Sequence, residues 1–228
     1  MQFFFLSDLH LSSNNQLQNQ KFINWLQQFS SHKAEIYILG DLFDAWCGFE
    51  LTEAWCQDII STLANFTKKY KVNIMLGNHD FLLNARFEKL TGCKILYQDE
   101  VLVEIASEPT LLMHGDTLAT DDINYQKFRH IIRHPITKAC YQLLPRKFKE
   151  KLKVKIQAAS EKTKKTNHNM HLTSNGVRQH HSRYPIAKQL ICGHFHTAST
   201  QQYTTPQGNL LVRVLPAWTG PSDTLVLS

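Results

Sequence analysis

The amino-acid sequence predicts an α/β fold, and two observations support this prediction. Five apolar runs, rich in Ile, Leu or Phe, each end at Gly or a polar residue, which is typical of strands buried on both faces. The runs and their polar ends read FFFLSDLH, EIYILGDLFD, NIMLGNHD, TLLMHGD and QLICGHFH. Stretches of helical length separate the first three runs, and such an alternation of strand and helix is typical of an α/β core.

Taken in order, the remaining elements agree with this fold. The first helical stretch places four apolar residues on one face: Phe22, Trp25, Leu26 and Phe29. Residues 121–170 interrupt the alternation, because charge is high there and Pro135 and Pro145 divide the stretch into short helices. The segments NLLVRVLPAWTG and TLVLS predict closing strands. We therefore expect one domain, residues 1–228, with a basic helical lid insertion at about 121–170.

Composition limits the classes of protein to be considered. With 228 residues, 43% of them hydrophobic, the chain can bury a sizeable core. Its five cysteines are odd in number and show no C-x-x-C spacing, so neither a disulfide framework nor a cysteine metal site is indicated. The apolar N-terminal run stops at Ser7 and Asp8, too early for a signal peptide or a membrane span. We expect a cytoplasmic protein.

The positive net charge of +6 is concentrated in one segment. Residues 127–165 contain thirteen Lys or Arg and only two acidic residues, whereas the rest of the chain is acidic. A uniformly basic surface would suggest nucleic-acid binding. Because the positive charge of this chain is confined to one segment, nucleic acid is not the expected partner. A confined basic block indicates a docking patch for a phosphate-bearing partner or an anionic membrane.

A helical stripe lies within this basic block, flanked by lysines, and consists of Phe148, Leu152, Ile156 and Ala159. One interpretation is a solvated lid helix whose apolar edge packs on the core. The other is a surface helix whose stripe meets acyl chains while its lysines meet phosphates. The sequence leaves both open.

Seven residues with metal-binding side chains follow the predicted strands: Asp8, His10, Asp41, Asn78, His114, His194 and His196. In α/β sheets, functional groups gather in the crevice at the carboxyl ends of the strands. Imidazole and carboxylate suit manganese, iron and zinc. Seven groups are too many for one ion, but they suit two ions that share a bridging carboxylate and catalyse phosphoryl transfer. No G-x-S-x-G elbow or cysteine nucleophile motif competes with this interpretation.

His79 and Asp80 directly follow Asn78 and are candidates for acid–base catalysis. An imidazole beside the metals, held in one tautomer by a carboxylate, can donate a proton to the leaving oxygen. Adjacent strand residues point in opposite directions, so Asp80 supports His79 only if the chain turns sharply there. We predict catalytic roles for both residues.

The ordered motifs DLH, GDLFD, GNHD, MHGD and GHFH resemble the calcineurin-like metallophosphoesterase superfamily, and the match spans residues 7–196. The resemblance implies a four-layer αββα sandwich of two mixed sheets. It implies two divalent metal ions, with manganese expected first and iron or zinc as alternatives. It also implies how the ligands divide: Asp8, His10 and His196 on one ion, Asn78, His114 and His194 on the other, and Asp41 bridging.

Longer segments, including YILGDLFDAW and LMHGDTLATDDINYQKFRHIIRHP, resemble the UDP-2,3-diacylglucosamine diphosphatase branch of that superfamily. This resemblance implies cleavage of UDP-2,3-diacylglucosamine to UMP and 2,3-diacylglucosamine 1-phosphate, on the route to lipid A. It also implies peripheral association with the cytoplasmic face of the inner membrane. The implied substrate-binding residues are Asn78, His79, Asp122, Tyr125, Ser160 and Lys164.

Most members of the branch carry arginine where this chain has His79, which keeps an alternative open. Arginine binds a diphosphate bidentately but keeps its proton, whereas histidine can give its proton up. The chain is therefore interpreted alternatively as a paralogous metallophosphoesterase that acts on another nucleotide, lipid or nucleic acid ester. A non-catalytic interaction module is a third hypothesis, and the complete ligand set argues against it.

Overall fold

The computed structural model describes residues 1–155 and 171–228, in which two five-stranded sheets pack face to face. The first sheet contains β1 (Gln2–Leu6), β2 (Ala34–Leu39), β3 (Lys71–Met75), β4 (Lys94–Leu96) and β10 (Leu225–Leu227). Its strand order is β10-β1-β2-β3-β4. Strands β1 to β4 are parallel, and β10 pairs antiparallel with β1 at the edge.

The second sheet contains β5 (Glu100–Ile105), β6 (Glu108–Met113), β7 (Gln189–Cys192), β8 (Ser199–Thr205) and β9 (Gly208–Val214). Its strand order is β5-β6-β7-β9-β8. The three central strands are parallel, and both edge strands run antiparallel to their neighbours. Both sheets are therefore mixed, as the resemblance implied.

Seven helices occur in the described ranges: α1 (Gln16–Gln28), α2 (Ala54–Phe66), α3 (Ala85–Thr91), α4 (Ile123–Arg133), α5 (Pro135–Leu143), α6 (146–155) and α7 (Ser174–Arg183). Asn15 caps α1 because its side chain accepts a hydrogen bond from the amide of Gln18. The apolar stripe predicted for α1 is confirmed, since Phe22, Trp25 and Leu26 are buried.

Three apolar clusters hold the layers together. The middle cluster fills the space between the sheets, with Phe5, Tyr37 and Leu39 from the first and Leu112 and Ile191 from the second. A larger cluster packs the outer face of the first sheet against α1, α2 and α3. A third packs the second sheet against α7. The layers run helix, sheet, sheet, helix, so the αββα prediction is confirmed.

The five apolar runs identified in the sequence are β1, β2, β3, β6 and β7, which confirms them as strands. All five are parallel members of their sheets, so their carboxyl ends lie along one edge of the sandwich. The polar residues that end the runs therefore face one crevice.

The insertion predicted at 121–170 forms α4, α5 and α6 in its described part, and no residue of α4 or α5 is buried. Phe148 is 61% exposed and Leu152 37%, so the described part of the predicted stripe stays largely uncovered. Four predicted residues lie outside the described ranges: Ile156, Ala159, Ser160 and Lys164. None of the helices in 1–155 or 171–228 has the length and apolarity needed to cross a membrane.

Candidate metal centre

The structure brings all seven predicted metal ligands to one crevice between the sheets. Each lies within four residues of the end of a strand: Asp8 and His10 after β1, Asp41 after β2, Asn78 after β3, His114 after β6, and His194 and His196 after β7. Asp8, His10, Asp41, His114 and His196 fall into overlapping groups of three, one of which includes His79, and the ligand atoms of each group lie within 4.8 Å of one another. Asn78 and His194 join the cluster through contacts with His114 and with each other. The candidate site is therefore assembled from both sheets.

Backbone strain is concentrated at these ligands. Seven non-glycine residues in the described ranges have positive φ, and five of them are in the cluster: Asp8 (54°), His10 (50°), Asp41 (52°), His194 (71°) and His196 (59°). Left-handed φ in residues other than glycine costs free energy, and such conformations collect at functional sites. They allow the chain to turn as it leaves each strand.

Asp8, His10 and His196 form the first half of the cluster. His196 Nε2 lies 3.3 Å from Asp8 Oδ1 and 3.3 Å from His10 Nε2. The other carboxylate oxygen of Asp8 accepts a hydrogen bond of 2.8 Å from the amide of His194, which fixes the carboxylate across the two sheets. These three side chains therefore aim at one point.

Asn78, His114 and His194 form the second half. Asn78 Oδ1 lies 2.8 Å from His114 Nε2 and 3.0 Å from His194 Nδ1. His114 Nδ1 is 2.9 Å from the carbonyl oxygen of Leu39. This contact suits an Nδ1–H donor, and the tautomer leaves Nε2 of His114 directed into the site.

Asp41 lies between the two halves. Its Oδ2 is 4.0 Å from His10 Nε2 in the first half and 3.6 Å from His114 Nε2 in the second. Its Oδ1 accepts a hydrogen bond of 2.9 Å from the amide of His79. One oxygen of Asp41 thus faces both groups of imidazoles, as a bridging carboxylate requires.

Burial and mutual charge set the protonation of the cluster. Burial lowers the pKa of His10 and of His194 to about 4, so both rings are neutral at pH 7 and able to bind metal. Burial works against the anionic form of Asp41, but the imidazole of His114 and its neighbours lower the pKa of Asp41 below its usual range. The opposite charge of Asp41 raises the pKa of His114 against the effect of burial.

The residues present fit two divalent cations. Asp8 Oδ1, His10 Nδ1 and His194 Nε2 are buried and have no hydrogen-bond partner, although buried polar atoms are normally paired. The donor set of imidazole, carboxylate and carboxamide suits manganese, iron or zinc. Two groups of ligand side chains with one carboxylate between them, and a buried Asp8 Oδ1 without a hydrogen-bond partner, are what a pair of cations would satisfy.

Two glycines allow this close packing. A Cβ atom on Gly77 would overlap Asp41 Oδ1, and a Cβ atom on Gly193 would overlap Asp8 Oδ2. Any side chain at either position would therefore displace a carboxylate of the cluster.

A family model described as calcineurin-like phosphoesterase matches residues 1–198, which include every residue of the cluster. The chain belongs to the calcineurin-like phosphoesterase family. The resemblance stated from the motifs is thereby confirmed, and this phosphoesterase is a metal-dependent hydrolase with a dinuclear type of site.

Curated relatives cover nearly the whole chain. The phosphoesterase is 31% identical to a UDP-2,3-diacylglucosamine hydrolase of Serratia proteamaculans, over 94% of this chain and 90% of that one. A protein of the same name from Vibrio cholerae is 32% identical over 98% of this chain and 93% of its own. A solved dimetal phosphatase of Danio rerio has a TM-score of 0.45 at 12% identity, and the match covers 95% of this chain and 87% of that chain. This likeness is too weak to contribute to the assignment.

His79 of the phosphoesterase faces the cluster of candidate metal ligands, but the group that holds its ring is not the one predicted. His79 Nε2 lies 3.9 Å from Asp41 Oδ2, and its Nδ1 is 2.5 Å from the carbonyl oxygen of Asp44. A carbonyl accepts only, so Nδ1 carries the hydrogen and the ring is fixed by backbone rather than by a carboxylate. The prediction that the Asp80 carboxylate holds the His79 ring is therefore wrong, because the carbonyl of Asp44 holds it.

Asp80 is fully buried, and backbone amides occupy both of its carboxylate oxygens. Its Oδ1 accepts a hydrogen bond of 2.8 Å from the amide of Gly77, and its Oδ2 accepts from the amides of Leu42 and Phe43 at 2.8 and 3.3 Å. Asp80 was predicted to be catalytic, but its carboxylate joins the loops that carry Asp41 and Asn78. We therefore propose a positioning role for it.

Asp122 and Tyr125, predicted to contact substrate, occupy the start of α4. The Asp122 carboxylate caps the helix by accepting a hydrogen bond of 2.9 Å from the amide of Tyr125. The Tyr125 ring lies 6.2 Å from the His194 ring, and its hydroxyl donates a 2.6 Å hydrogen bond to Asp116 Oδ2. Tyr125 thus stands beside the cluster, whereas the Asp122 carboxylate already has a structural partner.

Sequence reasoning missed an ionic network beneath α4. The buried Asp116 carboxylate accepts from Arg129 Nε at 2.6 Å, and Arg129 Nη2 lies 2.8 Å from Asp99. Arg133 donates a hydrogen bond of 2.7 Å to the carbonyl oxygen of Gly77. The one available signal was Asp116, which stands two residues after His114 in HGD. No comparable motif in the sequence identifies Arg129 or Arg133 as a member of this network.

Proposed function

We propose that this phosphoesterase hydrolyses the diphosphate of UDP-2,3-diacylglucosamine, giving UMP and 2,3-diacylglucosamine 1-phosphate on the route to lipid A. Curated relatives of that name align over almost the entire chain at about one-third identity. The observation that carries the proposal is the convergence of seven candidate ligand side chains, which would supply the chemistry that such a diphosphate requires.

The proposed ligands divide as the two halves of the cluster divide. Asp8, His10 and His196 would hold one ion; Asn78, His114 and His194 would hold the other; Asp41 would bridge them. When bound, the ions would supply Lewis-acid stabilisation of the phosphoryl oxygens and activate water. Manganese is the proposed metal, with iron or zinc as alternatives, because the donor set suits all three.

His79 is the proposed proton donor to the leaving oxygen. Its Nδ1 is engaged by the Asp44 carbonyl, so Nε2 is the atom available to substrate, and it faces Asp41 at 3.9 Å. Tyr125 and Asn78 line the same crevice and would help to orient the substrate. Asp122, which caps the start of α4, remains a proposed substrate contact. Ser160 and Lys164 are also proposed substrate contacts, and they lie outside the described ranges.

The insertion helices are proposed to receive the acyl chains and to rest on the anionic cytoplasmic face of the inner membrane. Exposed apolar side chains recur along them: Ile123, Phe128, Ile131, Ile136, Leu143, Phe148 and Val154. Lysines alternate with these residues on α6, so the helix offers apolar contact and positive charge together. Such a surface suits a lipid substrate presented from an anionic bilayer.

The direct test is an assay of purified, manganese-loaded protein on UDP-2,3-diacylglucosamine, with UMP release measured by chromatography. We expect metal-dependent release of UMP that stops when the metal is chelated. A metal-loaded, folded protein that releases no UMP would contradict the proposal.

The membrane contact has its own test. Replacing Lys147, Lys149 and Lys151 by Gln should reduce activity on substrate in anionic vesicles far more than on a short-chain soluble analogue. Lys153 is spared because it pairs with buried Glu50 at 3.0 Å and has a structural role. Equal losses on both substrates would exclude docking by these lysines.

A second candidate is a paralogous phosphoesterase acting on another nucleotide, lipid or nucleic acid ester. His79 favours it, because the branch carries arginine there and an imidazole binds a diphosphate less firmly. Activity on p-nitrophenyl esters or single-stranded DNA without activity on the acylated sugar would support this candidate. Hydrolysis of nucleic acid should weaken steeply with salt.

A further inference from the structure

A cavity of about 420 Å³ opens beside the cluster of candidate metal ligands, and none of the proposed catalytic or substrate-binding residues lines it. Residues of β8 and β9 line it from the second sheet, and the segment entering β10 lines it from the first. Its polar side chains are Ser199, Thr200, Arg213, Ser222, Asp223 and Thr224. Its volume lies within the range of small-molecule sites.

The cavity lies next to the His196 half of the cluster. Ala198, which lines it, follows His196 by two residues, so the two Cα atoms are at most about 7 Å apart. Pro216 also lines the cavity, and the next residue, Ala217, donates its amide to the carbonyl of His196 at 3.2 Å. A ligand that reaches from the metals past His196 would therefore enter this space.

The strand order places the cavity and the insertion on opposite flanks of the cluster of candidate ligands. In the first sheet, β10 adjoins β1 on one side, whereas β3 lies on the other side of β1 and is separated from it by β2. In the second sheet, β9 and β6 lie on opposite sides of β7. The insertion contacts the β3 and β6 ends, through Arg133 on Gly77 and Arg129 on Asp116. The cavity adjoins the β1 and β9 ends.

Arg213 gives the cavity an unsatisfied donor. Arg213 pairs in register with Ile191, and Ile191 belongs to the cluster between the sheets. The side chain of Arg213 therefore faces the space between the sheets, and its Nε is buried with no hydrogen-bond partner. A buried donor without a partner is unfavourable, and a ligand acceptor would remove that penalty.

We propose that this cavity binds the nucleoside monophosphate end of the substrate, with Arg213 donating to its acceptor oxygens; this rests on the proposed function. A UDP-linked acylated sugar has an apolar end and a nucleotide end on either side of its diphosphate. If the acyl chains lie under the insertion, the nucleotide must leave the metals on the opposite flank. Asp223 can accept from ribose hydroxyls, and the surrounding hydroxyl side chains can donate or accept.

The cavity can be probed with UMP and inorganic phosphate as competing inhibitors. Manganese-loaded protein would hydrolyse bis-p-nitrophenyl phosphate, which has no nucleoside, in the presence of either inhibitor. We expect the wild type to bind UMP more tightly than phosphate, and Arg213→Gln to reduce that preference by about tenfold. Arg213→Lys should restore part of the preference, because lysine keeps the charge but not the planar fork. The exposed control Arg178→Gln should leave the preference unchanged.

Trp218 supplies a readout that does not depend on turnover. Its indole Nε1 donates a 3.0 Å hydrogen bond to Thr224 Oγ1, and Thr224 lines the cavity. UMP should shift the indole N–H signal of Trp218 in NMR spectra of the wild type, and much less so in Arg213→Gln. The chain has only four tryptophans, so the Trp218 signal can be assigned with Trp218→Phe.

The inference is overturned if folded Arg213→Gln keeps the wild-type preference for UMP over phosphate and UMP leaves the Trp218 signal unmoved. Failure of the proposed function would look different: the wild type would not cleave UDP-2,3-diacylglucosamine at all. The comparison of UMP with phosphate uses another ester and would still report on the cavity. Matched thermal unfolding of the wild type and the Arg213 variants shows that the variants are folded.

Discussion

Arg133 Nη2 donates a hydrogen bond of 2.7 Å to the carbonyl oxygen of Gly77, the residue directly before the Asn78 ligand. Its Nη1 donates to Asp99 Oδ1 at 2.9 Å, and its guanidinium lies over the Phe81 ring at 5.6 Å. Arg133 belongs to α4 of the insertion, so one side chain ties the insertion to a loop of the metal cluster. The position of the insertion and the position of Asn78 are thereby coupled.

We predict that Arg133→Met weakens metal binding or lowers turnover by about 10- to 100-fold, as changes behind metal ligands do. The Gly77 carbonyl would lose its donor, and the loop carrying Asn78 would be less well fixed. Metal affinity from calorimetric titration and kcat would be measured together. Arg183→Met is the matched control, because Arg183 lies at the end of α7 and pairs with Glu100 of β5. Equal effects of the two substitutions would contradict the coupling.

His79→Ala should lower kcat by about 10²- to 10⁴-fold with both metals retained, since the ring would act as a proton donor and not as a ligand. Asp41→Ala and His114→Ala should instead lose metal and activity together. Elemental analysis beside steady-state kinetics separates the two outcomes. If all three variants lose metal equally, the role assigned to His79 is wrong.

Asp80→Ala should destabilise the protein by roughly 2–4 kcal/mol, because it leaves the buried amides of Gly77, Leu42 and Phe43 without an acceptor. Urea unfolding would measure this loss, with exposed Asp58→Ala as the control. A catalytic Asp80 would behave differently: Asp80→Asn would alter the pH dependence of kcat and leave the free energy of unfolding unchanged.

Lys153→Met should cost about 1–3 kcal/mol of stability, because Glu50 is fully buried and would lose the cation at 3.0 Å. Adding Glu50→Gln should recover part of that loss, since the unpaired charge is then removed. Lys151→Met, an exposed neighbour on α6, is the control and should change the unfolding free energy little. Additive losses in the double variant would show that the pair is not coupled.

Glu100 provides a prediction about pH. Burial disfavours its charged form, but the His180 and Arg183 hydrogen bonds outweigh burial and lower the pKa of Glu100. A carboxyl whose pKa is lowered by folding stabilises the protein above its unfolded pKa and loses that contribution as the pH falls through the folded value. Glu100→Gln should therefore be less stable than the wild type at neutral pH.

The difference in stability between Glu100→Gln and the wild type should shrink as the pH falls through the lowered pKa of the folded state, because the carboxyl is protonated in both states only below that pKa. Urea unfolding of the metal-free proteins at a series of pH values would test this. A difference that stays constant with pH would show that the ionised form of Glu100 contributes nothing.

Much of the fold was predictable because its signals are local. The runs at β1, β2, β3, β6 and β7 are apolar over their full length, and each ends at a polar cluster, so a short window of sequence identifies both the strand and its end. Metal-binding chemistry restricts the residue types further, since few side chains serve as ligands. The seven candidate ligands therefore followed from the sequence, and parallel strand order explains why they meet.

The supporting contacts were not predictable because they join residues far apart in the chain. The partner of His79 is the carbonyl of Asp44, 35 residues earlier, and no sequence pattern marks a backbone carbonyl as a partner. The direction of Asp80 depended on how the loops after β2 and β3 pack together. Because His79 and Asp80 are adjacent in the sequence, their side chains were predicted to pair. In the structure the Asp80 carboxylate instead accepts hydrogen bonds from buried backbone amides.

By itself the sequence determined the five strands that end at the cluster, their polar ends and the ligand types, because hydrophobic pattern and metal chemistry act over a few residues. Only the tertiary structure decided that Arg133 holds Gly77, that Asp80 joins two loops and that Arg213 faces a cavity beside His196. Those arrangements follow from the packing of two sheets and an insertion, where the need to satisfy buried polar groups selects partners that are distant in sequence.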